Sequence, residues 1–131
     1  MPSFLKIFIL GLSALAAVPA VVEPDRRLAG YIVFVGQSDL RDSSGLRLLE
    51  PWQILLRDRE NFHVEGAGQT GDEWDPYFDK PEMRDCMAML LAEGSIEPEA
   101  EKRLMQGAGM VYVQLYGSQG RMSHIEVTLL R

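Results

Sequence analysis

Across residues 111–129 apolar and polar side chains alternate with a period of two. Val111, Val113 and Leu115 form one row, and Tyr112, Gln114 and Tyr116 the other. After Ser118, Gln119 and Gly120 the alternation resumes, with Ile125, Val127 and Leu129 opposite His124, Glu126 and Thr128. Side chains of a strand point to alternate faces, and a short Gly-containing break between two such runs is a hairpin signature. Each strand is apolar on one face and mixed on the other. The hairpin must therefore lay its apolar face on a second layer, which limits the chain to architectures with one covered sheet face.

That second layer is legible upstream. Met83, Cys86, Met87, Leu90 and Leu91 recur at helical spacing. Asp79 and Glu82 have the spacing of a capping box at the start of this helix, and Gly94 is placed to end it in a left-handed conformation. A second, shorter helix is predicted over residues 98–106, with Pro98 at its first position, Ala100 and Leu104 facing inward, and Gly107 stopping it.

Residues 29–37 (AGYIVFVGQ) are rich in β-branched and aromatic residues and predict a strand. Both of its faces are apolar, which suggests a central strand or one covered on both sides. Residues 46–62 are ambiguous. Leu46, Leu48, Trp52, Ile54 and Leu56 fit a period of two, whereas Trp52, Leu55, Leu56 and Phe62 fit a helix starting at Pro51. The reading adopted is a strand paired back on the first, with Pro51 at an edge or bulge. Residues 66–81 lack periodicity and read as a long loop. The expected fold is α+β, in the order ββααββ. Two N-terminal strands and the C-terminal hairpin make a small antiparallel sheet, with both helices on one face.

The first twenty residues read as an address rather than as part of the fold. Lys6 precedes an uncharged apolar run, residues 7–18 (IFILGLSALAAV), and Val18-Pro19-Ala20 has small-residue cleavage chemistry. The run is too short, and too soon broken by Pro19, to cross a membrane easily. Cleavage is expected after Ala20, with Ala16 as the other acceptable site. The division is then 1–20 signal peptide and 21–131 single globular domain, periplasmic or secreted. Any membrane attachment would come only through an uncleaved leader. Loss of Lys6 takes the formal charge from −6 to −7. That acidity argues against nucleic acid as a partner, since phosphate binding needs a surplus of Lys and Arg. Cys86 is the one cysteine, so neither an internal disulfide nor a multi-cysteine zinc site can form.

Candidate chemistry is sparse. Residues 66–71 match G-x-G-x-x-G, but acids follow where a phosphate-binding helix should begin, so the segment reads as loop. Thirteen acids and three bases lie between Asp58 and Glu101. Within that stretch Asp72, Glu73 and Asp75 are candidate oxygen ligands for Ca²⁺, which takes several carboxylates on a flexible backbone. They lack a D-x-D-x-D-G register. His63 and His124 are candidate general bases for a small enzyme, without a nucleophile in any recognisable motif. Tyr112, Tyr116, His124 and Glu126 share the outer hairpin face. They are the candidate surface for an unknown protein or small ligand, because aromatic side chains are enriched where proteins are recognised. The function expected is therefore that of a small exported, non-catalytic binding domain. A Ca²⁺-binding protein and a small enzyme with a histidine base are the alternatives.

Overall fold

The computed structural model describes residues 15–131. Most of the expected leader lies outside the described residues, and residues 15–25 carry no helix or strand and are exposed throughout. Among the described residues, regular structure begins with β1 (Arg26–Val35), followed by a single 3-10 turn (Gln37–Leu40). Helix α1 spans Pro51–His63, α2 Pro81–Arg84 and α3 Met87–Ala92. A two-residue strand, β2 (Ser95–Ile96), leads into α4 (Pro98–Gln106), and β3 (Gly109–Ser118) and β4 (Arg121–Leu129) complete the chain.

The fold is α+β, with the helices on one side of a four-stranded mixed sheet of order β1-β3-β4-β2. The β3–β4 hairpin turns at Gln119 and Gly120, both left-handed, as a two-residue hairpin loop of this twist requires. β1 pairs antiparallel with β3, and β2 runs parallel to β4. Tyr31, Val33 and Val35 on β1 share a face with Val111, Val113 and Leu115 on β3 and with Ile125 and Val127 on β4, Tyr31 pairing with Val113 and Val33 with Val111. All eight are buried. They meet Ile54 and Leu55 of α1, Met87 and Leu90 of α3, and Ala100 and Leu104 of α4 in one core. Each full burial of a side chain such as Leu or Met contributes roughly 1.5–3 kcal/mol, so this layer contact is the main source of stability.

Several details differ from the sequence reading, beginning with the sheet, which is mixed rather than antiparallel because the short β2 runs parallel to β4. The second N-terminal strand is a helix, α1. Pro51 occupies its first position, and the Gln53 carboxamide accepts the Leu49 and Glu50 backbone N–H groups just before it. The expected helix over residues 79–94 is two short helices. Between them the Cys86 N–H bonds to Met83 O, only three residues back, which tightens the chain out of α geometry. Its N-cap is Lys80 rather than Asp79.

Gly94 is not left-handed. A Cβ there would sit 1.8 Å from the Ile125 carbonyl oxygen, so the glycine permits close approach of α3 to β4. Finally, β1 is an edge strand rather than a central one. Its second apolar row is sheltered instead by the acidic loop, whose Gly71 passes against Phe34 and Met110.

Candidate functional site

Helices cover one sheet face and leave the other open. In-register pairing places Gly30, Ile32 and Phe34 of β1 beside Gln114, Tyr112 and Met110 of β3. Glu126 and Thr128 of β4 extend the first two of these rows, and His124 pairs with Tyr116. Tyr112, Tyr116, His124 and Glu126 therefore share the open face, all half-buried. The Tyr116 and His124 rings stack at 4.8 Å between centroids, tilted by only 2°. His124 also lies 3.6 Å from an Asp25 oxygen and 3.8 Å from a Glu126 oxygen. Tyr112 stands four residues along β3 from Tyr116, and its hydroxyl is 3.3 Å from Arg27 Nη1.

Next to Tyr112 the open face deepens into a cavity of about 450 Å³. Its floor is one row across three strands, Ile32, Tyr112 and Thr128. Leu129 and Leu130 line it, and Glu73, Glu97 and Arg131 supply its charges. Glu97, the N-cap residue of α4, accepts the Leu129 N–H at 3.0 Å and pairs with Arg131. That backbone bond, followed by the arginine charge, holds its carboxyl below the usual range. A smaller cavity of about 230 Å³ lies along α1, between Trp52, Leu56 and Leu48.

The candidate cation ligands are engaged with backbone. Asp72 accepts the Phe34 N–H at 2.7 Å and the Gln69 N–H at 2.6 Å. Glu73 accepts the Ile32 N–H at 2.8 Å. Asp75 is buried and receives Tyr77 N–H, Phe78 N–H, Arg59 and His63. Although its burial works the other way, these donors, led by Phe78 N–H, hold its pKa below the usual carboxylate value. Among the described residues no three His, Cys, Asp or Glu side chains are grouped to hold a metal ion.

The two histidines have different settings. His63 Nε2 is 2.9 Å from Asp75 inside the loop–helix junction. His124 Nδ1 is 2.9 Å from Ser123 Oγ, whose hydroxyl is also placed to donate to Tyr116 O at 3.1 Å. Neither Ser123 nor His124 lines either cavity. Cys86 is half-buried, with its Sγ 3.4 Å from Glu82 O.

A buried polar network behind the sheet has no counterpart in the sequence reading. Arg59 is fully buried, with its guanidinium 4.4 Å above the Tyr31 ring and 4.7 Å from that of Phe62. It bonds Asp58 at 2.8 Å and Asp75 at 2.9 Å. Burial pushes the Asp58 carboxyl up to about 8 despite the arginine beside it. Asp39, also buried, accepts Asn61, Gln69 and the Gly36 N–H, and burial raises its value too. This network pins α1, the 3-10 turn and the acidic loop together. In sequence its members sit in a charge-dense stretch that looks solvated, and no motif marks them.

No family model, curated protein or solved structure matches the chain.

Proposed function

We propose that the chain is a small exported, non-catalytic domain that binds a partner or small ligand in the periplasm through the open face of its sheet. One observation carries the reading. The recognition-type side chains Tyr112, Tyr116, His124 and Glu126 lie on the one face that no helix covers, beside the larger cavity. A half-apolar concavity with a few fixed polar groups is the usual form of a binding site. Export rests on the leader pattern in residues 1–20.

Two measurements test the two halves. The intact mass from fractionated cells should correspond to a chain starting at Val21, or at Ala17, in the periplasmic fraction; a full-length mass in the cytoplasm overturns export. For binding, the isotope-labelled protein is titrated with periplasmic extract split into protein and small-molecule pools. One pool should shift the amide signals of β3 and β4 on the open face, and a Tyr112→Ala/Tyr116→Ala variant should lose the response. If wild type and variant respond identically, the face is not a binding site.

A further inference from the structure

We propose that the cavity on the open face takes small organic cations, specifically a primary ammonium carried on a compact apolar body about the size of one aromatic ring. The inference rests on the binding reading above and deepens it.

Three features of the cavity carry it. The floor is apolar and aromatic. Tyr112 reclines across β1 at Gly30, where a Cβ would come within 2.3 Å of its Oη, and Arg27 tethers the hydroxyl. The glycine thus gives the ring the room to lie low and form part of the cavity lining. Cations are drawn to the faces of such rings.

The charges are unequally committed. Arg131 and the Leu129 N–H already occupy both oxygens of Glu97. Glu73 is different. Its Oε1 is fixed by the Ile32 N–H, while its Oε2 has no protein partner among the described residues. This leaves a solvent-exposed carboxylate oxygen without a protein cation, its partner oxygen held by backbone, at the β1 end of the row. A carboxylate oriented in advance loses little freedom when a cation arrives.

The alternatives fit worse. An anion entering between Glu73 and Glu97 meets a net negative lining, and the one arginine there is already paired. A neutral ligand of the same shape gains the floor but leaves Glu73 without a counter-charge. The volume, about 450 Å³, falls in the range of small-molecule sites.

The test is a titration of the full chain, followed by amide NMR, with three probes of one shape: phenethylammonium, 2-phenylethanol and 3-phenylpropionate. Phenethylammonium should shift Ile32, Tyr112 and Thr128 and bind at least about threefold more tightly than either other probe. Glu73→Gln keeps an oxygen for the Ile32 N–H and should erase the preference for the cation over the alcohol. Tyr112→Leu should weaken the cation by about threefold. Equal binding of all three probes overturns the cation inference and leaves the binding face standing. So does a cation preference that survives Glu73→Gln. If no probe moves these amides while periplasmic extract still shifts the signals of Tyr116 and His124, the cation inference alone falls. If both experiments are silent, the binding reading falls with it.

Discussion

Asp58 should make the protein less stable as pH rises, and Asp58→Asn should remove that loss. The carboxyl is 1% exposed and lies 2.8 Å from Arg59 Nε. Burial is the largest influence on it, and the nearby charges of Asp72 and Asp39 add to it, so its value rises from 3.8 to about 8. In the unfolded chain the group ionises near pH 4, whereas the folded chain keeps the proton until about pH 8. Between those limits the folded state binds more protons than the unfolded state. Stability therefore falls with rising pH across this window. At ~1.4 kcal/mol per tenfold change in proton affinity, such a window is worth several kcal/mol, a large share of a small domain's stability. Asparagine is nearly isosteric, cannot ionise, and still offers an oxygen to Arg59. Asp75 acts in the opposite sense: its lowered value gives stability that is lost as pH falls through the acid range. The assay is urea unfolding of wild type and Asp58→Asn from pH 4.5 to 8.5, followed by the fluorescence of Trp52 and Trp74. The variant should gain at least about 2 kcal/mol on wild type between the two ends, a conservative share of that window. Parallel stability profiles for the two proteins would refute the reasoning.

Other substitutions probe the same interior. Arg59→Met leaves the Asp75 carboxylate buried without its cation and Asp58 without its guanidinium donor, and should cost about 3–5 kcal/mol, read by urea unfolding at pH 7; a loss below about 1 kcal/mol would contradict the buried pairing. Tyr31→Phe removes a buried hydroxyl that has no hydrogen-bond partner among the described residues. It should leave the midpoint unchanged or raise it slightly, by up to about 1 kcal/mol, and a large loss would mean that the hydroxyl is satisfied. Gly94→Ala drives a methyl into the Ile125 carbonyl and should destabilise by about 2 kcal/mol or more in chemical unfolding, with a neutral result arguing against the close α3–β4 approach.

The hairpin and the inward rows of α3 and α4 were readable because their buried positions are apolar and their period is undisturbed. Helix α1 was not, because its buried positions include Asp58, Arg59 and Asn61 beside Ile54 and Leu55. A hydrophobic pattern cannot register a face that buries charge in pairs. For β1 the sequence left open a central strand or one covered on both sides; the cover over Ile32 and Phe34 comes from a loop distant in sequence, not from another strand. The outer residues Tyr112, Tyr116, His124 and Glu126 were grouped by alternation alone. The cavity was not foreseen, since Glu73, Glu97 and Arg131 reach it from three separate segments.

The carboxylates of Asp72 and Glu73 have one more consequence. An outermost strand with bare amides invites another chain to zip alongside it. Here the Ile32 and Phe34 amides are already taken by charged oxygens, and the Ile32 carbonyl by the Glu73 N–H. A second molecule approaching that margin would have to strip away hydrogen bonds to charged oxygens and bring two acidic borders into contact. The loop thus acts as a selvedge, a woven border that keeps the fabric from being extended by a neighbour.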